Sequence, residues 1–350
     1  MLKKISGKIK YYRKQFVLSY LPKICVRSGF LSSIYYCFFN PAFRREHRAT
    51  LAGIVKHLNE SKKIKANYFL LVRNTHRIEK GLLMKPKKDV FAKDYIVETI
   101  DSFVNIWKQA KEDHLQVKWF HDVLSEYFKT SAKDEFVNKQ FQRFLTVTQQ
   151  NGLSFQQQGS FIPYHRQLEN RSQINYEEFY KLARQRRSVR WFLNQPVPRN
   201  LIELAIAAAN QSPSACNRQP FSFRIIDDPN LVKTAVSLPM GTAGYSHTIP
   251  VLIVVVGNLD AYFSERDRHI IYIDGSLAAM SFMFALETLG LSSCSINWPD
   301  IEEREGMMEK FLKLEKHQRP IMCLGVGYPD PEGMVAYSQK RALSELAIYN

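Results

Sequence analysis

The chain has 350 residues, 45% of them hydrophobic and 23% charged, and a formal net charge of +16. That length holds two domains of ordinary size with buried cores, and the composition excludes a globally disordered chain. Five cysteines, far apart and without a C-x-x-C pair, exclude a disulfide framework and a cysteine zinc site and fit a reducing, cytoplasmic setting.

The charge is concentrated at the N-terminus. Residues 1–63 carry fourteen Lys and Arg against Glu46 and Glu60, a local +12, so a basic arm is attached to a nearly neutral body. The arm proper, residues 1–43, contains an uncharged stretch from Ser28 to Phe43 with Phe30, Leu31, Ile34, Tyr35, Tyr36, Phe38 and Phe39. Sixteen residues are short of a membrane span. They suit an interfacial position, which places the protein peripherally on the inner, anionic face of a membrane. The competing expectation is that these aromatics pack on the body and the lysines are solvated. Nucleic acid is disfavoured, because no recognition motif accompanies the charge. Polar and basic residues interrupt Phe16–Val26 and no A-x-A site follows, so a cleaved signal peptide is not expected.

Residues 44–150 read as a helical domain. Ile96, Ile100, Phe103, Val104 and Trp107 share one helical face, and Trp119, Phe120, Val123, Leu124, Tyr127 and Phe128 form a second stripe, both expected to be core. His76, Glu79 and Lys80, at i, i+3 and i+4, should share a face of a helix stopped by Gly81. They are either polar groups at a substrate pocket or an ion-paired helix end. Residues 151–175 shift to Gln, Asn, Gly and Ser and read as a linker. From 176 to 350 helices and short apolar strands alternate: helices over Tyr176–Arg187, Leu201–Asn210 and Ile273–Leu289, and strands over Phe221–Asp227, Val251–Val256, Leu291–Ile296 and Ile321–Val326. The fold class is α+β, a sheet flanked by helices, preceded by an all-α domain.

Three segments carry chemistry. Arg184-Gln-Arg-Arg-Ser-Val-Arg190 places four arginines and a hydroxyl within seven residues, a density that suits a phosphate better than open solvent. Ser212-Pro-Ser-Ala-Cys-Asn-Arg-Gln-Pro-Phe221 is a stiff turn of small residues whose Asn217 and Gln219 amides both donate and accept, as the edge of a flat heterocycle requires. Gly325-Val-Gly-Tyr-Pro329, followed by Ser338-Gln-Lys-Arg341, can return cations to the same anion. Tyr328 and Pro329 stand where a Rossmann turn needs a glycine and a helix. Glu265, Asp267 and His269 alternate with arginines and read as an ion-paired surface rather than a metal site; no metal is expected.

This order of R-R-S-x-R, S-P-S-A-x-N-x-Q-P-F, G-Y-P and a late K-R resembles the FMN-dependent nitroreductase family over residues 176–350. The resemblance implies that Arg186, Arg187, Ser188 and Arg190 hold the FMN phosphate and ribityl chain. It further implies that Pro213, Ser214, Ala215 and Asn217 reach the flavin of a partner subunit in a homodimer, and that Lys340 or Arg341 closes on the phosphate. Ala215 and Phe221 depart from the Ser and Trp common in the family, and Cys294 and Trp298 stand where a flavin-covering stretch is usual. The implied activity is two-electron reduction, or the reverse oxidation, of a small molecule with NAD(P)H as reductant. The flavin carries the chemistry, and no catalytic side chain is required. The alternatives are a membrane-peripheral scaffold that keeps the fold without turnover, and a relative that consumes the flavin.

Overall fold

A computed structural model describes residues 12, 15–62, 67–111, 114–157, 159–166 and 169–350. The arm's Lys3, Lys4, Lys8, Lys10, Arg13 and Lys14 lie outside the described residues. The uncharged stretch of the arm is helical in short pieces. Ser28 caps Gly29–Ile34 by accepting the Leu31 N–H at 3.1 Å. Tyr35 turns inward and donates its hydroxyl to the Val17 carbonyl at 3.1 Å, whereas Phe30, Phe38 and Phe39 stay exposed.

Amphipathic helices then follow in order: α1 (Arg44–Lys62), α2 (Tyr68–Leu82), α3 (Ile96–Gln109), α4 (Leu115–Ser131) and α5 (Glu135–Gln150). Asn67 caps α2 through the Leu70 N–H at 2.9 Å, and Asp134 caps α5 through two backbone amides. The two expected stripes meet: Ile96, Ile100, Phe103 and Trp107 of α3 pack with Phe120, Leu124 and Tyr127 of α4 in one core cluster. Each large side chain so buried contributes about 1.5–3 kcal/mol. Gly81 does not stop α2, which runs on to Leu82; a Cβ at Gly81 would lie 2.2 Å from the Phe91 ring, so close packing accounts for this glycine. Among the described residues of 151–175 there is no helix or strand.

The second half contains α6 (Tyr176–Gln185), α7 (Arg199–Ala209), β1 (Phe221–Ile226), α8 (Pro229–Ala235), β2 (Val251–Asn258), α9 (Ile270–Thr288), β3 (Ser292–Asn297), α10 (Glu302–Leu312) and β4 (Gln318–Gly327). The strands form one antiparallel sheet in the order β1-β2-β4-β3. Strand β2 is apolar at successive positions because both its faces are covered. Val251, Ile253 and Val255 pack with residues of α7 and α9, while Leu252, Val254 and Val256 pack with residues of α8 and α10. Helix α9, although long and apolar, is the core helix on one face of this sheet.

Helix α1 stays with the sheet half rather than the α2–α5 core. Its Ala49 packs with Leu259, Ala261, Tyr262 and Ile271. Arg45 pairs with Glu302 and Glu309 of α10, each at 2.6 Å, and Lys56 pairs with Asp260 at 3.0 Å. Contact is closest at Gly53, where a Cβ would sit 2.6 Å from the Leu259 carbonyl carbon. Gly53→Ala gains about 1 kcal/mol of helix propensity but overpacks against main chain that cannot rotate aside, at roughly 1–3 kcal/mol. The variant should melt below the wild type in calorimetry; an unchanged or higher Tm would show that the α1 seam yields.

Candidate functional site

Asn175 caps α6 by accepting the Glu178 N–H at 2.9 Å, and the chain leaves that helix extended at Arg186. The arginine segment is then laid against two sheet ends. Ser188 forms a parallel bridge with Ser293 at the start of β3, and the Val189 N–H donates to the Ser293 carbonyl at 3.0 Å. Phe192 bridges Pro329 beyond β4, and the Leu193 N–H reaches the Tyr328 carbonyl at 2.9 Å. The first and third sequence segments are thereby brought side by side. Arg187 adds a tether: its Nη2 donates to the Ala336 carbonyl at 2.6 Å and also to the Tyr337 carbonyl, holding the segment that leads to Lys340 and Arg341.

Most cations of this assembly form no ion pair among the described residues: Arg184, Arg186, Arg187, Arg190 and Lys340 have none there, whereas Arg341 pairs with Glu345 at 3.2 Å. Arg190 lies over the Tyr245 ring at 5.7 Å and donates only weakly to the Ser188 carbonyl at 3.4 Å. The Arg186 Nε and the Ser293 Oγ are buried without a hydrogen-bond partner among the described residues. Glu287, the acid nearest Arg186 in charge terms, accepts from Gln185 at 3.2 Å and Ser292 at 3.1 Å; burial pushes its carboxyl pKa up against those hydrogen bonds. Unpaired guanidiniums beside an orphaned hydroxyl make an anion site, and a phosphate monoester has the oxygens to fill it.

The middle segment is built for rigidity. Cys216, Asn217 and Gln219 all have positive φ, at 55°, 53° and 50°, a conformation costing of order 1–3 kcal/mol at each such non-glycine residue. Several bonds hold it: the Ala215 N–H donates to the Asp274 carboxylate at 2.9 Å, the Gln219 N–H to Ser214 Oγ at 3.1 Å, and the Gln219 side-chain amide to Asn217 Oδ1 at 3.1 Å. Pro213 precedes this turn, and the residues Ala215–Asn217 are packed against α2.

This turn is at the other end of the sheet. Phe221 pairs with Gly257, which pairs with Arg319, whereas Ser293 pairs with Val326. Arg319 and Val326 pair with Gly257 and Val251, six steps apart along β2 because Ile321 is bulged out of register, roughly 20 Å at ~3.3 Å per residue. Within one chain, therefore, Arg186, Arg187, Ser188 and Arg190 lie on one segment beside β3, to which Arg187 tethers the stretch leading to Lys340 and Arg341, and Pro213, Ser214, Ala215 and Asn217 do not join them.

Other expectations are corrected or answered. Cys294 is buried, with Sγ 3.6 Å from the Tyr245 hydroxyl; Trp298, also largely buried and donating to Glu305 at 2.6 Å, edges a separate cavity of 240 Å³ with His269 and Arg319. His76 pairs with Glu79 at 3.5 Å, and Glu79 accepts from Trp119 at 2.9 Å, which ties this face of α2 into its own half. Arg266 pairs with Asp267 at 3.4 Å and His269 with Glu46 at 3.9 Å, and no group of three candidate metal ligands occurs among the described residues. Asp274 was not anticipated; an acid inside an apolar helix was its signal.

Burial holds the Asp274 carboxyl pKa above its ordinary value, against the Ala215 N–H and Arg218, which favour the ionised form. A raised folded-state pKa makes the wild type lose stability as pH rises from the ordinary carboxylate range through the raised value. Asp274→Asn keeps an acceptor for Ala215 and removes that titration. Its stability relative to wild type should therefore grow with pH across that window in urea titrations. Asp274→Ala, which orphans the amide, should cost about 1–3 kcal/mol; equal stabilities of the three proteins at all pH values would contradict this.

Residues 183–240 and 237–328 match the sequence model of the nitroreductase family. Human iodotyrosine deiodinase 1 is 24% identical over 200 residues, 49% of this chain and 68% of that protein. The iodotyrosine deiodinase of Haliscomenobacter hydrossis is 26% identical over 215 residues, 53% of this chain and 95% of that protein. Among solved structures, a nitroreductase family protein from Streptococcus pneumoniae superposes with a TM-score of 0.43 at 20% identity, covering 49% of this chain and 100% of its own. An FMN-dependent nitroreductase from Clostridium difficile gives 0.42 at 20% identity, covering 48% and 97%. The C-terminal half of this chain, residues 183–328, is a nitroreductase-family domain.

Proposed function

We propose that the chain is an FMN-dependent oxidoreductase that takes two electrons from NAD(P)H and delivers them to a small organic acceptor. The observation that carries this reading is the set of unpaired cations around Ser188 and Ser293, joined to the C-terminal Lys340 segment by Arg187. The residues present fit FMN. Arg186 and Arg190 offer charge-assisted donors to its phosphate, with Ser188 and the orphaned Ser293 hydroxyl beside them. FMN, when bound, supplies hydride acceptance and donation. The protein's part is then to hold the phosphate, to present the Asn217 and Gln219 amides on a turn that cannot relax, and to keep bulk water from the ring.

The ~20 Å between the cation cluster and that turn supports placing them on different flavins in one chain. A homodimer in which each turn serves the partner's flavin resolves this. It would also cover the apolar face of α9, where Ile273, Leu277 and Met280 are exposed around a cavity of 450 Å³. The deiodinase relatives favour a second reading of the acceptor, a halogenated phenol reduced with loss of halide. The exposed Phe30, Phe38 and Phe39 support a peripheral membrane position.

The purified protein should be yellow and should bleach anaerobically on addition of NAD(P)H; a colourless protein that ignores added FMN would return the scaffold alternative. Arg186→Ala and Arg190→Ala each remove phosphate bonds of about 1.5–3 kcal/mol, so FMN should dissociate at least tenfold more readily, by fluorescence titration. Unchanged affinity would mean the phosphate lies elsewhere. Deleting residues 1–43 should abolish sedimentation with anionic vesicles while leaving the flavin in place. Retained vesicle binding would move the membrane contact to another surface.

A further inference from the structure

Helix α2 belongs to the half of the chain outside the family match, yet it packs on the Ala215–Asn217 turn. Arginines crowd that seam. Arg218 lies over the Tyr262 ring at 4.8 Å, and Arg73 of α2 and Arg266 both lie over the adjacent Phe263 ring at 5.3 Å. Arg77, one turn along α2 from Arg73, lies over Tyr95 at 3.6 Å.

Two of these arginines pair with acids; the other two form no ion pair among the described residues, although Asp274 lies in the field of Arg218. Arg77 pairs with Asp94 and Arg266 with Asp267, each at 3.4 Å. Arg73 forms no ion pair among the described residues, and Glu98, the acid that favours its charge, is hydrogen-bonded to Asn74 at 2.8 Å. Arg218 is 6% exposed, its Nη1 only 3.4 Å from the Ala215 carbonyl and its Nε without a partner. Burial and the neighbouring Arg77 and Arg218 charges push the Arg73 pKa down, so the seam is strained by like charge. Arg73 and Cys216 are half-buried, so the seam reaches the surface beside them. An aromatic floor under two guanidiniums that form no ion pair among the described residues, one with a buried unpartnered Nε, favours an anion attached to a flat organic body.

We propose that this seam is an anion subsite in which Arg73 and Arg218 hold a carboxylate- or phosphate-class group of the substrate, so that the N-terminal helical half selects what the flavin domain reduces. The proposal rests on the flavin reading above, since it takes the 213–219 turn to border the ring. It assigns the helical half a role in specificity, supplied by a residue from outside the matched domain.

The test uses the full-length protein as purified and three probes: 4-nitrobenzoate, 4-nitrophenyl phosphate and the neutral 4-nitrobenzyl alcohol. Isothermal calorimetry measures binding without turnover, and kcat/KM is measured for each probe with NAD(P)H. Wild type should favour at least one anionic probe over the alcohol by tenfold or more, the better of the two telling carboxylate from phosphate. Arg73→Ala should erase that preference, leave the alcohol unchanged, and keep the flavin content and Tm of the wild type. Arg73→Lys, which restores the charge without the fork, should recover part of it. Equal binding of charged and neutral probes by wild type would overturn the subsite, as would a preference that survives Arg73→Ala. A loss confined to the KM for NAD(P)H would also overturn it, placing the anion on the reductant. A colourless protein that still binds the anions through Arg73 would sink the flavin reading and spare the subsite; yellow protein without anion preference would do the reverse.

Discussion

Cations held close together without carboxylates repel one another, and the cost is met only if an anion joins them or solvent screens them. At the β3 and β4 ends of the sheet the structure keeps Arg186, Arg187 and Arg190 on a segment locked by backbone bonds to Ser293 and Tyr328, so they cannot spread. Arg187 then tethers the C-terminal segment through the Ala336 carbonyl. Nearly everything about the candidate site follows from this retained charge: where a phosphate would sit, and why the orphaned Ser293 hydroxyl and Arg186 Nε are tolerated.

The same sheet that gathers those cations keeps the turn at 213–219 away from them. Strand β4 spans both places, with Val326 beside the arginine segment and Arg319 in register with the residue that leaves the turn. The antiparallel sheet, covered on both faces and bulged once between Val255 and Val256, keeps these two places apart. The proposed flavin site, which needs both ends, would therefore be completed between chains, and the exposed apolar Ile273, Leu277 and Met280 of α9 would be covered by a second chain.

The two halves are not joined as beads on a string. Helix α1 lies before the helical core in the chain but is tied to the sheet half through Arg45, Gly53 and Lys56, and α2 rests on the strained turn. Because α2 also carries part of the core with α3 and α4, the position of Arg73 is set by packing far from the sheet. Charge placed on so firmly held a helix is suited to discriminating between ligands, because it cannot retreat from the wrong one.

Period and composition determined much of this from the residues alone. The stripe of α3, the uninterrupted apolar run of β2 and the Asn175 cap of α6 are local facts: a helix needs its apolar face every three or four residues, a doubly covered strand needs apolar residues throughout, and a cap needs only the next turn. The clustering of arginines at 184–190 and the stiffness of the 212–221 turn were legible in the same way. Only the tertiary structure decided which of these segments meet. Gly81 reads as a helix stop until Phe91, beyond the end of α2, is seen against it; Cys294 stands where a flavin-covering stretch is expected until the sheet is seen to bury it. Arg73, Arg218, Asp274 and Ser293 acquire meaning from neighbours that lie tens or hundreds of residues away. Like-charge crowding and desolvation depend on distance in space, and a linear pattern does not carry that distance.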